Sequence, residues 1–98
     1  MQKLENKVAL ITGGSKGIGY GIAAALLAQG MKVAITSRSK AKAEEAAADL
    51  KKIGKGEVLG LEADVRNFDS QRQVVETIRK QWGEIDVLVA NAGLGHFA

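Results

Sequence analysis

The chain has 98 residues, 46% of them hydrophobic, with one histidine and no cysteine, which fits one small folded domain and excludes disulfides and thiolate metal sites. The net charge of +3 comes from lysines and arginines interspersed with acidic residues, so we expect a solvated surface and no nucleic-acid partner. No apolar run is long enough to span a membrane and the first residues do not resemble a signal peptide, so we expect a soluble, cytoplasmic protein without a membrane partner.

The first predicted element is a buried strand over residues 8–11, and a glycine-rich turn follows it directly. Such a turn directs backbone N–H groups and the positive end of the next helix dipole at one spot, which suits a phosphate. The spacing is G-x-x-x-G-x-G: Gly13 would permit a tight turn, Gly17 a close backbone approach, and Gly19 close packing of the helix on the strand. A turn with a purely structural role is the alternative. The segment runs Thr12-Gly13-Gly14-Ser15-Lys16-Gly17-Ile18-Gly19.

Three further strands, over residues 32–37, 57–63 and 85–90, alternate with predicted helices. The first helix covers about residues 17–29 and ends at Gly30, the second ends at Gly54, and the third begins after Asn67 and ends at Gly83. Trp82 and Phe68 are interpreted as core or partly buried packing residues. The predicted buried positions are Ile18, Ile22, Ala25 and Leu26 in the first helix, Ala43, Ala46, Ala47, Leu50 and Ile53 in the second, and Val74, Val75, Ile78 and Trp82 in the third.

Apolar strands that alternate with helices predict an α/β fold. We expect a Rossmann-like parallel sheet, βαβαβαβ, with four strands in the order 3-2-1-4 and helices on both faces. Ligands of such sheets bind beyond the carboxyl ends of the strands. The segments expected beside the glycine turn are therefore Ser37-Arg38, Asp64-Val65 and Asn91-Ala92-Gly93.

The end of the second strand bears on the choice of nicotinamide cofactor. A carboxylate there would bind the ribose 2′-hydroxyl of NAD, but this chain has Ser37 and then Arg38, whose guanidinium suits a phosphate. Lys16 in the turn would add a second positive charge. Together these residues favour NADP(H) over NAD(H) as the cofactor. The alternative is that Arg38 is an ordinary exposed residue beside a helix.

Other polar side chains at the strand ends have two interpretations each. Asp64 could accept a hydrogen bond from the adenine amino group, or it could be a turn or cap residue. Asn91 could contact a ligand or only pin neighbouring loops, and Gly93 permits a close approach to a ribose. Tyr20 and His96 are possible acid–base groups, but neither has a partner at a suggestive spacing, so we predict no catalytic residue in this chain.

These motifs, in this order and at these distances, resemble the short-chain dehydrogenases/reductases, with a weaker similarity to the 3-oxoacyl carrier-protein reductases. The resemblance implies that Thr12 and Ser15 shape the loop, and that Asp64 and Val65 hold the adenine. It also implies that Lys16 and Arg38 form the NADP-preferring pattern. By the same resemblance, Gly13, Gly17, Ile18 and Gly19 would line the cofactor phosphates and nicotinamide ribose, and Asn91, Ala92 and Gly93 would border the adenine ribose.

The resemblance covers only the first part of the family's fold, because the family's catalytic serine and Tyr-x-x-x-Lys pair have no counterpart here. The single tyrosine, Tyr20, is followed four residues later by Ala24. We therefore interpret residues 1–98 as the single, cofactor-binding half domain of an NADP-dependent oxidoreductase acting on a carbonyl or alcohol, inactive by itself. A non-catalytic nucleotide-binding or dimerisation module is the alternative. The open edge of the fourth strand predicts a homo-oligomer.

Overall fold

A parallel sheet with helices on both faces forms the framework. The structure is a computed structural model and describes residues 4–15, 17–53, 56–64 and 66–90. Within these residues four strands form one parallel sheet, and their order, numbered along the chain, is 3-2-1-4, as predicted. The elements are β1 (Val8–Thr12), α1 (Gly17–Ala28), β2 (Lys32–Ser37), α2 (Lys40–Ile53), β3 (Val58–Glu62), α3 (Phe68–Trp82) and β4 (Val87–Ala90).

Strand β1 lies at the centre of the sheet and is buried along its whole length. It pairs with β2 as far as Ile11↔Ile35 and with β4 as far as Thr12↔Ala90. Just before β4, Asp86 extends this second pairing: its backbone N–H donates to the Val8 carbonyl, and its carboxylate accepts the Val8 N–H, both at 2.8 Å. The first strand is therefore fixed to the last by a side chain as well as by the backbone.

Alternate residues of β1 point into two separate hydrophobic clusters, one on each face of the sheet. Ala9 and Ile11 pack with buried residues of α1 and α2, whereas Val8 and Leu10 pack with α3. Because both faces are covered, β1 is apolar at almost every position, as parallel strands usually are. The prediction of helices on both faces is confirmed.

Helix α1 buries a face that only partly agrees with the one we predicted, because Ile22 and Leu26 are half-buried and pack against the core. Its buried residues are Gly19, Ala23 and Leu27, whereas Ile18 is 76% exposed and Ala25 is also exposed. The helix is apolar or glycine at nearly every position, so no polar stripe marked its outer side. Small residues at 19 and 23 allow the helix axis to approach the sheet closely, and this packing selects the buried face.

Two other packing predictions were wrong. Ile53, in the last turn of α2, is 62% exposed, and Phe68, the first residue of α3, is 79% exposed. Both lie at helix ends, where the chain leaves the contact with the sheet. The inner face predicted for α3 is confirmed, because Val74 and Ile78 are buried and Trp82 packs against the same cluster.

The predicted helix boundaries of α3 are confirmed by its caps. The Asn67 side chain accepts a hydrogen bond from the Ser70 N–H at 3.1 Å, and Gly83, with φ of 93°, donates its N–H to the Arg79 carbonyl. Gly30, which ends α1, also has a positive φ. The predicted stop at Gly54 lies outside the described residues. None of the described helices combines the length and apolar character that a membrane crossing requires.

Candidate functional site

The glycine turn connects the carboxyl end of β1 to the start of α1. Gly13 and Gly17 have φ values of 71° and 64°, in the left-handed region that glycine adopts without strain. Strand β1 ends at Thr12 and α1 begins at Gly17, so that α1 starts above the carboxyl edge of the sheet. The tight turn predicted at Gly13 is therefore present.

Two N–H groups of this turn point into the protein. The Gly13 N–H donates to the Thr36 hydroxyl at 3.3 Å, and the Gly14 N–H donates to the Thr36 carbonyl at 3.1 Å. Thr36 lies in β2 and is 1% exposed. These two donors hold the turn onto β2, so donors for a ligand must come from farther along the chain. Sequence reasoning missed Thr36, because no local pattern connects it with the turn.

Gly14 is buried because the turn lies directly against β2. A Cβ atom at this position would be 2.6 Å from Cγ2 of Ile35, closer than any real contact allows. Gly14 is thus required for a close approach, a role that the sequence analysis did not assign to it. The spacing of the glycines alone does not distinguish this position from its neighbours.

The first turn of α1 offers the donors that an anion needs. The first four N–H groups of any α-helix have no partner within the helix, and they lie at its positive end. Here the first turn contains no acidic residue, and a Cβ at Gly17 would meet no described atom within 4 Å other than its chain neighbours and the backbone of its own helix. Ile18 is exposed beside it, whereas Gly19 is buried against the sheet. Donors, space and the absence of a competing carboxylate fit a phosphate group.

Thr12 and Ser15 lie on either side of the glycine pair and have different surroundings. The Thr12 hydroxyl donates to the Val89 carbonyl at 3.4 Å, which links the end of β1 to β4. Ser15 is half-buried and lines a groove between α1 and α2, together with Tyr20 and Lys42. Thr12 therefore shapes the end of the strand, while Ser15 faces an open groove.

At the end of β2, Ser37 and Arg38 differ in exposure. The Ser37 hydroxyl accepts the Ser39 N–H at 3.2 Å, and Ser39 in turn accepts the Lys42 N–H at the start of α2. Arg38 is exposed at the same corner. Ser37 thus has a local structural role, and Arg38 is the residue here with a charge that a ligand can meet.

Asp64 follows β3 and is bound by Arg66. Its carboxylate accepts hydrogen bonds from the Arg66 backbone N–H at 2.9 Å and from the guanidinium Nε and Nη2 at 3.2 Å each. These bonds hold the pKa of Asp64 below its usual value, and the nearby charge of Arg38 lowers that pKa further. The sheet therefore brings the ends of β2 and β3 together, as predicted. Asp64 is an ionised turn residue whose side chain is 38% exposed.

Removing Arg66 should raise the pKa of Asp64. A lowered pKa means that ionised Asp64 favours the folded chain above the usual pKa of the group, and that this contribution disappears as the pH falls through the folded-state pKa. In the variant Arg66→Ala we expect the pKa to move up towards the usual value, measured by NMR titration of the Asp64 carboxyl carbon. Arg72→Ala, at an exposed arginine of α3, should leave the Asp64 titration unchanged. Identical curves in Arg66→Ala and the wild type would contradict the assignment.

Five of the predicted site residues lie outside the described part of the chain: Lys16, Val65, Asn91, Ala92 and Gly93. The described ones gather at the carboxyl edge of the sheet, on the glycine turn, the first turn of α1 and the ends of β2 and β3. Within the described ranges no group of three or more histidine, cysteine or acidic residues is arranged to hold a metal ion. Sequence reasoning also missed Ser70, whose hydroxyl accepts the Asp64 N–H at 3.0 Å.

Comparisons with known proteins agree with this geometry. A family model described as short chain dehydrogenase matches residues 7–98. An uncharacterised oxidoreductase of Methylorubrum extorquens is 40% identical over 98 residues, which are 100% of this chain and 40% of the relative. A 3-oxoacyl-[acyl-carrier-protein] reductase of Synechocystis is 41% identical over 95 residues, 96% of this chain and 38% of the relative.

Solved structures give the same result. The L-sorbose reductase of Gluconobacter frateurii, described in complex with NADPH and L-sorbose, superposes with a TM-score of 0.87 at 36% identity and covers 94% of this chain and 36% of that one. A short-chain type dehydrogenase/reductase of Mycobacterium marinum has a TM-score of 0.86 at 34% identity, with 94% of this chain and 37% of that one covered. The chain spans about two fifths of the length of the relatives named here.

Proposed function

Because the chain belongs to the short-chain dehydrogenase family, we propose that it forms the NADP(H)-binding part of an oxidoreductase that reduces a carbonyl, or oxidises an alcohol, by hydride transfer. The observation that carries the proposal is the open first turn of α1, which lies above the carboxyl edge of the sheet. The cofactor pyrophosphate would accept hydrogen bonds from the N–H groups of this turn, at Gly17, Ile18 and Gly19.

The adenosine end of the cofactor would lie over the ends of β2 and β3. Arg38, exposed at the end of β2, would pair with a 2′-phosphate, and Lys16 would add a second positive charge. Asp64 and Val65 would hold the adenine, and Asn91, Ala92 and Gly93 would border its ribose. Arg66 leaves an acceptor site on Oδ2 of Asp64, because each carboxylate oxygen has about two such sites and Oδ2 accepts one bond from Arg66, whereas Oδ1 accepts two.

In this proposal the residues of the chain bind and orient the cofactor, and NADPH supplies the hydride when it is bound. Transfer to a carbonyl also needs a proton donor, which a phenol of lowered pKa next to a lysine would provide. These 98 residues contain one tyrosine, Tyr20, with Ala24 four positions later, and Tyr20 is half-buried in the groove between α1 and α2. We therefore propose that this chain alone does not catalyse the reaction.

A direct binding experiment tests the proposal. The purified protein is titrated with NADPH and separately with NADH, and energy transfer from Trp82 to the nicotinamide is recorded. Saturable binding with a preference for NADPH is the expected result. Binding of neither dinucleotide would contradict the proposed site, and tighter binding of NADH would contradict the 2′-phosphate assignment. The alternative of a non-catalytic binding module would be favoured by a different pair of results: the chain binds a dinucleotide, and every longer protein that contains this sequence lacks reductase activity.

Arg38→Gln should weaken NADPH binding and leave NADH binding nearly unchanged. A hydrogen bond to a charged group contributes about 1.5 kcal/mol at the lower end of its range, so the dissociation constant for NADPH should rise at least about tenfold. The matched control is Arg79→Gln, which removes an exposed arginine from the last turn of α3, at the other end of the sheet. Equal losses of affinity for NADPH and NADH in Arg38→Gln would show that the arginine does not bind the 2′-phosphate.

Two further predictions remain proposals. Among the described residues β4 is paired on one edge only, and its Leu88 is 63% exposed, which supports a homo-oligomer formed through that edge. Light scattering combined with size-exclusion chromatography tests it, and a strictly monomeric protein would contradict it. The cytoplasmic location is likewise retained as a proposal, which imaging of the tagged protein in its own cells would test.

A further inference from the structure

We infer that Thr36 is a positioning residue for cofactor binding: its hydroxyl fixes the glycine turn in the conformation that the pyrophosphate requires. This inference rests on the proposed function and assigns a role to a residue that would not touch the cofactor. Thr36 is 1% exposed and lies in β2, directly before Ser37 and Arg38.

The position of Thr36 follows from the way the sheet ends. The ladder between β1 and β2 stops at Ile11↔Ile35, whereas the ladder between β1 and β4 continues to Thr12↔Ala90. Beyond Ile11 the chain leaves the regular pairing with β2. Thr36 keeps the turn in contact with β2 through two acceptors. Its hydroxyl accepts the Gly13 N–H, and its carbonyl accepts the Gly14 N–H. One residue of β2 thus supplies both acceptors that hold the glycine turn to β2 after the regular pairing has ended.

The turn needs such a contact because glycine does not hold a conformation by itself. Gly13 has φ of 71°, but glycine occupies positive and negative φ values almost equally well. Bonds from outside the turn must therefore select one of these conformations. The backbone conformation of Gly13 sets the path of the chain towards Gly17, where the proposed phosphate donors begin.

The hydroxyl is the part of Thr36 that a substitution can test. Any residue at this position keeps the carbonyl that accepts the Gly14 N–H, so Thr36→Val removes the hydroxyl acceptor and preserves the shape of the side chain. Thr36→Ser keeps the hydroxyl. A net hydrogen bond of about 0.5–1.5 kcal/mol predicts that Thr36→Val weakens binding of NADPH and NADH alike, each roughly 2- to 12-fold. Thr36→Ser should bind both within about twofold of the wild type.

The test measures both dissociation constants at a temperature where all three proteins are folded, as verified by thermal unfolding. A purely structural role would lower the unfolding temperature of Thr36→Val without changing the dissociation constants, and that result would overturn the inference. Weaker binding of NADPH only would also overturn it, because the effect would then belong to the 2′-phosphate end. If the wild type binds neither dinucleotide, the proposed function fails and this inference fails with it. Equal binding by all three proteins overturns the inference alone.

A second measurement needs no variant. The Gly13 amide hydrogen of the unliganded wild type should exchange with solvent slowly, because the Gly13 N–H donates to the hydroxyl of the buried Thr36. Exchange of the Gly13 amide as fast as in an open loop, recorded by NMR, would overturn the inference even if Thr36→Val did not fold.

Discussion

Replacing Gly14 by alanine should lower the free energy of unfolding by about 1–3 kcal/mol. The added Cβ would lie 2.6 Å from Cγ2 and 2.8 Å from Cβ of Ile35, a fully buried residue of β2 that packs in the cluster beneath α1 and α2. The φ of Gly14 is not in the left-handed region, so the cost comes from the steric overlap alone. Chemical denaturation followed by Trp82 fluorescence measures the change.

The same substitution at Gly21 provides the control. Gly21 lies in α1 and is exposed, and among the described residues a Cβ there would meet no atom within 4 Å outside the adjacent residues and the helix backbone. Because alanine favours the helix over glycine, Gly21→Ala should stabilise the chain by about 0.5–1 kcal/mol. We also expect Gly14→Ala to bind NADPH more weakly while still folded, since relief of the overlap must displace the turn from β2. A Gly14→Ala protein as stable as the wild type would show that the turn does not lie against Ile35.

Replacing Asp86 by alanine should have a similarly large effect on stability. Its carboxylate accepts the Val8 N–H, and Val8 is 3% exposed. Loss of this acceptor would leave a buried donor without that bond, at a cost of about 1–3 kcal/mol in the free energy of unfolding. The Asp86 N–H would still donate to the Val8 carbonyl, so β4 should remain in place.

Asp86→Asn separates the acceptor from the charge. The amide oxygen of asparagine keeps an acceptor for the Val8 N–H, so we expect this variant to lose less than half of what Asp86→Ala loses. Urea denaturation of the three proteins measures both values. Equal losses in the two variants would mean that the negative charge, and not the hydrogen bond, stabilises this end of the sheet.

Much of the fold follows from the sequence because its signals are local. Apolar runs of strand length, glycine stops and an N-cap at Asn67 predicted the seven elements, whereas the order of the strands came from the Rossmann-like arrangement expected for alternating strands and helices. The buried face of α3 was also predictable, since charged residues mark its outer side. Helix α1 has no such residues, so its buried face, at Gly19, Ala23 and Leu27, depended on packing against the sheet, which no periodicity in the sequence reports.

The candidate site was predictable as a place but not as a set of contacts. Parallel strands bring their carboxyl ends to one edge, which is why Arg38 and Asp64 were expected near the glycine turn. The partner of Asp64 is Arg66, and the acceptors for the turn belong to Thr36, 23 residues away from Gly13. Such pairs depend on side-chain directions and on the point where a ladder ends, and neither is encoded in local spacing.

The pairing between Val8 and Asp86 has a consequence for synthesis of the chain. These residues are 78 positions apart, yet β1 is the central strand and needs β4 on one of its edges. At about 5–20 residues per second, a ribosome adds Asp86 roughly 4–16 s after Val8. Strand β1 can pair with β2 much earlier, but its other edge stays unpaired until β4 has been synthesised. For those seconds the nascent chain carries an apolar strand with a row of backbone groups that no other strand pairs, and this is the edge that a chaperone would have to shield.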